Sequence, residues 1–292
     1  MASEISGAAG TFVGNARRFR PRRFAGLLLA APAIAYLALF FVLPMAEVIG
    51  RSLAGSPLTS YEKVLTNGLY RGVFIQSASI ALQVTVIDLI IAYPLAFYVT
   101  TLSRRARLVA FFFILLPFWS SQLVRTYAWT IILGRNGLIN QLVLALGLVE
   151  EPLTLLNTRF AVLLGSAHVM LPFMVLPLYA SMAKIDGDLL KAASLFGANG
   201  WNIFRRVHLP LCRSGIAAGA TLVFILTLGS FTTAAVLGGG RVMMIALLIE
   251  QQVRTVVNWT MASALATVLL AVTIMLYWAC DRVLRGRAVD ES

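Results

Sequence analysis

The chain has 292 residues, of which 59% are hydrophobic and 12% charged, about half the charge that a soluble domain usually carries. One water-soluble core cannot hide that much apolar surface, so lipid has to solvate part of it. The net charge of +12 suits a nucleic-acid binder by amount only. The basic residues cluster between apolar runs, a membrane-topology pattern that excludes nucleic acid as a partner.

Residues 1–23 form a basic tail containing Arg17, Arg18, Arg20, Arg22 and Arg23. The apolar run 24–46 that follows is too long for a cleaved signal region, holds Pro32 and Pro44, and lacks a small-residue cleavage site. It reads as a retained first span. A bilayer core about 30 Å thick needs about 20 apolar residues in helix. Runs 73–102, 108–134, 160–183, 216–240 and 255–280 also meet that length, giving an all-α membrane protein of six spans. The transmembrane domain is expected over 24–284, with a short tail at 285–292. Runs 138–149 and 242–249 are too short to cross and read as re-entrant or interfacial helices.

Arg104, Arg105 and Arg107 follow the second span, Lys184, Lys191, Arg205, Arg206 and Arg213 follow the fourth, and Arg282, Arg285 and Arg287 follow the sixth. With the N-terminal tail these are sixteen of the 24 Lys and Arg residues. The bias places both termini in the cytoplasm. Cys212 and Cys280 then fall in or near cytoplasmic positions, where a structural disulfide is not expected. His168 and His208 are too few and too far apart for a metal or catalytic cluster, and no metal site is expected.

Two spans carry a charge, which is costly at lipid depth and normally faces protein or a water-filled path. Asp88 lies roughly 22 Å into the second span and Arg125 roughly 26 Å from the inner end of the third, at 1.5 Å per residue. Their heights differ enough that a direct pair is strained. Asp88 is a candidate for substrate contact or for a structural hydrogen bond. Arg125 either snorkels outward or lines a substrate path with Tyr127 and Trp129. His168 reads as a helix-to-helix hydrogen-bonder. In the fifth span, Thr227, Ser230, Thr232 and Thr233 surround Gly229. They either allow close helix packing or give a polar lining, for which Ser230, Thr232 and Thr233 are the candidates. Pro94, Pro117, Pro172 and Pro177 interrupt helices, and freed carbonyls at such breaks can line a pathway.

The polar segment 184–215 stands out against the rest of the chain. Asp186 and Asp188 suit a helix start, and Leu189, Leu190, Ala193 and Phe196 keep helical spacing. Gly197 ends that helix. A second stretch from Trp201 to Val207 is expected to stop at Pro210. A helix–turn–helix tied at both ends to spans makes a lever that a soluble partner can grip.

This segment resembles the EAA loop of permease subunits of binding-protein-dependent ATP-binding-cassette importers, whose pattern is E-A-A, three residues, G, nine residues, I-x-L-P. Ala192, Ala193, Gly197, Leu209 and Pro210 match at that spacing, with Val207 for Ile and Lys191 in place of Glu. The stretch 123–129 with Gly134 and Gly137, and 237–239 with Asn258 and Trp259, are similar to the spermidine/putrescine permease group. The resemblance implies a type I importer permease fold and location in a bacterial inner membrane. It also implies a second permease subunit, a cytoplasmic ATPase dimer and a periplasmic solute-binding protein. ATP and Mg would bind that ATPase, with no cofactor on this chain. Lys191, Ala192, Ala193, Gly197, Val207, Leu209 and Pro210 would take the coupling role. The sequence has no G-x-x-x-x-G-K-[ST] phosphate loop, so an ATPase must be a separate chain. Polyamine-like and opine or amino-acid-like solutes both remain open. Polyamine-type permeases often carry an acid near the position of Ser230, and its absence speaks against a polycation, whose ammonium groups need carboxylates or aromatic faces. The rival reading, an ion-driven secondary transporter, would usually show internal repeats, and none is found.

Overall fold

The structure is a computed structural model describing residues 23–54 and 57–288. The basic tail, apart from Arg23, and the last four residues lie outside the described residues. The chain divides into two units, residues 1–47 and 48–292. In the first, α1 (Arg23–Leu37) runs through a π-helical turn (Ala38–Val42) into α2 (Leu43–Ser52), and the first unit ends within α2. The helix Ala30–Ser52 is long and apolar enough to cross a membrane, as expected for the first span. Pro44 sits just past the π turn, whose wider ring relieves the clash between a proline ring and the preceding turn.

The second unit continues with α3 (Pro57–Thr66), α4 (Gly68–Thr101), α5 (Arg104–Trp119), α6 (Gln122–Leu133), α7 (Leu138–Ala145) and α8 (Arg159–Met182). Next come α9 (Gly187–Leu195), α10 (Gly200–Ile203), a π turn (Phe204–His208), α11 (Leu209–Leu211) and α12 (Arg213–Leu228). The chain ends with α13 (Thr232–Leu237), α14 (Ile245–Arg254) and α15 (Trp259–Ala288). Among the described residues, four helices are long and apolar enough to cross a membrane, or six if each of two bent pairs is one span.

The two bent pairs and the end of α12 correct three expectations. The run 108–134 is not one straight helix: it breaks after Trp119 and turns by 95°, so residue rise does not add along a single axis as far as Arg125. The run 216–240 stops at Leu228, and residues 229–231 separate it from α13. Pro210 does not stop the loop helix. The π turn before it again makes room for the ring, and the chain bends by 64° after Leu211 instead.

The core lies between α4, α8 and α12, with Ile80, Val84, Met174, Leu178 and Val223 fully buried. Lipid is as apolar as these side chains, so close packing rather than the hydrophobic effect holds them. Small residues permit it. A Cβ on Gly215 of α12 would come 2.8 Å from the Pro177 carbonyl of α8. Polar clamps fix the irregular parts. Asn140 donates to the Gly134 and Leu153 carbonyls at 3.0 Å each and accepts from the Leu153 N–H at 2.8 Å. Ser77 of α4 accepts the first N–H of α14, from Ile245, at 2.8 Å. That donor has no partner within its own helix.

Candidate functional site

The elbow between α8 and α12 is built from local rules. Asp186 caps α9 by accepting the Asp188 N–H at 3.0 Å. At the other end Gly197 takes φ +80°, and the Ala198 N–H donates to the Ala193 carbonyl at 3.2 Å. Together they form the glycine-terminated cap that the sequence calls for. Asn199 then caps α10 through the Asn202 N–H at 2.8 Å. Lys191 pairs with Asp188 at 2.8 Å on the exposed face, so the cation standing in the family's Glu position is partly answered within its own helix.

Large apolar side chains on this elbow face outward: Leu195, Trp201 and Phe196, the last 92% exposed. The inner end is the opposite. His208, in the variable position of the V-x-L-P stretch, is buried, and its Nδ1 lies 2.7 Å from Tyr93 Oη on α4. Phe97 of α4 sits edge-on to the imidazole with ring centroids 5.0 Å apart. Trp201 stacks on Phe204, which meets Tyr93 edge-on. An unbroken row of rings thus joins the exposed elbow to a spanning helix. Burial pushes the His208 imidazole below its ordinary 6.5, so it is neutral at pH 7. Spacing alone did not reveal this junction, although an imidazole beside L-P was a visible signal.

The path candidates separate into two groups. Arg125, Ser230 and Thr232 line one cavity of about 330 Å³ between the α5–α6 elbow, α8 and the α12–α13 break. Gln122, Phe118 and Phe231 line it too and were not singled out in the sequence. Arg125 does not snorkel outward: it donates through Nη1 to the Pro117 carbonyl, beside the break in the third span. Its Nε and the Ser230 hydroxyl are buried without a hydrogen-bond partner.

Asp88 and Trp129 line a different, mostly apolar cavity of about 420 Å³ with His168. Trp129 donates to His168 at 3.3 Å, the helix-to-helix role expected of that histidine. The structural hydrogen bond considered for Asp88 is not made. The residue is fully buried, and neither carboxylate oxygen has a partner. Tyr127 is exposed and Thr233 buried; neither lines these cavities, so Arg125 does not share its cavity with Tyr127 or Trp129.

No family model matches the chain. It is 37% identical over 226 residues to the spermidine/putrescine transport system permease protein PotB of Haemophilus influenzae, covering 76% of this chain and 79% of that one. The protein of the same name from Escherichia coli is 32% identical over 266 residues, 87% and 97% of the two chains. Among solved structures, a bacterial ABC transporter that imports the acidic polysaccharide alginate superposes with TM-score 0.63. That match has 17% identity and covers 89% of this chain and 97% of the other. This last likeness concerns the fold, which is that of an importer permease.

Proposed function

The chain belongs to the permease subunits of binding-protein-dependent ABC importers, and on that premise we propose that it forms part of the translocation path for a small organic solute. A separate ATPase moves it through segment 184–215. The reading places the protein in a bacterial inner membrane with both termini in the cytoplasm and the transmembrane domain over residues 24–284. Its partners are a second permease subunit, a dimer of ATPases that binds ATP and Mg, and a periplasmic protein that delivers the solute. No chemistry is assigned to the chain itself.

The observation that carries this reading is the two-sidedness of the elbow. Leu195, Phe196 and Trp201 face outward, an apolar surface of the kind that marks a docking site. His208, at the end of the same segment, is buried against α4. A partner that pulls on the outer face therefore pulls on a spanning helix. Lys191, Ala192, Ala193, Gly197, Val207, Leu209 and Pro210 take the coupling role.

Arg125, Ser230 and Thr232 form one wall of the path, and Asp88 and Trp129 are the second group of candidates. The relatives are named for spermidine and putrescine, and an amino-acid-like or opine-like solute is the other class considered. Reconstitution tests the reading: uptake into proteoliposomes should need a partner ABC ATPase, and ATP. Uptake that continues without that ATPase would overturn it.

A further inference from the structure

The importer reading sets the inner ends of α4, α5 and α8 at the cytoplasmic edge of the bilayer. A cavity of about 320 Å³ opens among them, beside the start of the elbow. Arg107 lines it, half-buried, and no Asp or Glu does. Its guanidinium is held by neutral acceptors: Nη1 donates to Tyr179 Oη at 3.2 Å and Nη2 to the Leu102 carbonyl at 3.0 Å. Nε is buried and takes no part. Each terminal nitrogen carries two hydrogens, so one on each is left over. Among the described residues no carboxylate pairs with Arg107. A cation thus borders an open space without a counter-ion, which is costly at the membrane edge. Arg104 and Arg105, exposed at the start of the same helix, strengthen the positive field there.

The rest of the wall has a matching character. Thr100 and Thr101 spend their hydroxyl hydrogens on the Phe97 and Tyr98 carbonyls at 2.6 and 2.7 Å. Their oxygens can therefore accept from a ligand that carries hydroxyl groups. Phe97 lines the cavity and is also exposed on the outer face of α4. Pro94 and Ile90 are exposed as well, and the spacing puts all three on one face of the helix. That apolar strip leads away from the cavity for about 10 Å along the span.

We propose that this cavity seats the headgroup of an anionic phospholipid of the inner leaflet, its phosphate on Arg107 and an acyl chain along Phe97, Pro94 and Ile90. Guanidinium and phosphate form a strong charged pair, and basic pockets between spanning helices on the cytoplasmic side suit such headgroups. A soluble anion gains nothing from the apolar strip. A zwitterionic headgroup brings its own cation and cancels much of the attraction. The proposal takes its orientation in the membrane from the importer reading.

The test uses the complete importer in nanodiscs of phosphatidylcholine and phosphatidylglycerol. Either lipid is supplied with a photoreactive group on its acyl chain close to the headgroup, and adducts are mapped by mass spectrometry. The phosphatidylglycerol probe is expected to label α4 between Ile90 and Thr101, and the phosphatidylcholine probe much less. Arg107→Gln should lower that labelling about fivefold, the scale of one basic residue against an anionic lipid. That variant also disturbs Tyr179 and Leu102, so a second one acts through charge alone. Gly187 lines the cavity with open space at its Cβ. Gly187→Glu brings a carboxylate to the rim and should lower the labelling too, whereas Gly187→Gln, of the same shape, should keep it.

Equal labelling by both lipids would overturn the proposal. So would labelling that Arg107→Gln and Gly187→Glu leave unchanged, or that Gly187→Gln lowers as far as Gly187→Glu. Displacement of the probe by inorganic phosphate would assign the cavity to a soluble anion instead, and no adduct in the assembled complex would mean that a partner chain covers it. ATP-driven uptake, followed in the same nanodisc composition after transfer to liposomes, separates the two claims. Uptake without selective labelling overturns the lipid site and leaves the importer standing. Selective labelling without ATP-driven uptake does the reverse.

Discussion

Tyr93 and His208 are 115 residues apart in sequence and 2.7 Å apart in space. Their contact joins the second span to the inner end of the elbow. Tyr93→Phe keeps the ring contacts with Phe204 and His208 and removes only the hydroxyl. The buried imidazole then loses its short hydrogen bond, at a cost of about 1–3 kcal/mol. Uptake should fall on the order of tenfold while membrane insertion and the basal ATP hydrolysis of the partner persist. Unchanged uptake would mean that the junction carries no force.

Acid should loosen the same junction. Burial holds His208 below its ordinary 6.5, so the folded state favours the neutral ring. Its contribution is fully present above about pH 6.5 and is lost as pH falls through the lowered folded value. The protection of amides in residues 204–212, taken relative to their intrinsic exchange rates at each pH, should therefore decrease between pH 7.5 and pH 5. His208→Gln, which does not titrate, should flatten that change.

Gly197 should not tolerate proline. Its φ of +80° lies far from the value proline requires, and its N–H donates to the Ser194 carbonyl at 3.0 Å. Gly197→Pro, and separately Ala193→Trp at a half-buried position of α9, should abolish uptake while leaving the protein in the membrane at normal level. Measured uptake near wild type in either would count against the coupling role.

Helix packing gives a prediction independent of any partner. Gly215→Val forces its side chain against Ser181 and the Pro177 carbonyl, and overpacking of this kind costs about 1–3 kcal/mol. The melting temperature in detergent should drop clearly. Gly187→Ala, with open space at its Cβ, should leave it nearly unchanged.

Local chemistry made the elbow readable before any coordinates. Asp186 and Gly197 are start and stop signals whose effect depends on a few neighbouring residues, and both act as read. The 95° break after Trp119 was not readable. Residues 108–134 are apolar overall, and although Ser120, Ser121 and Gln122 stand at the break, hydropathy records solubility in lipid rather than direction. Pro117 marked a weak point but not a turn.

Cross-helix partners were hidden for another reason. The Arg125 bond to Pro117 and the His208 bond to Tyr93 depend on how helices rotate against one another. In an apolar run no periodic polar face sets that rotation. The grouping of Arg125 with Ser230, rather than with Tyr127 and Trp129, follows from the same rotation.

The most direct test places a photo-crosslinking amino acid at Phe196 in the fully assembled importer. Illumination should join this chain to the ATP-hydrolysing subunit, in a yield that changes when nucleotide is bound. If no such adduct forms while ATP-driven uptake proceeds, the motor does not act through the elbow.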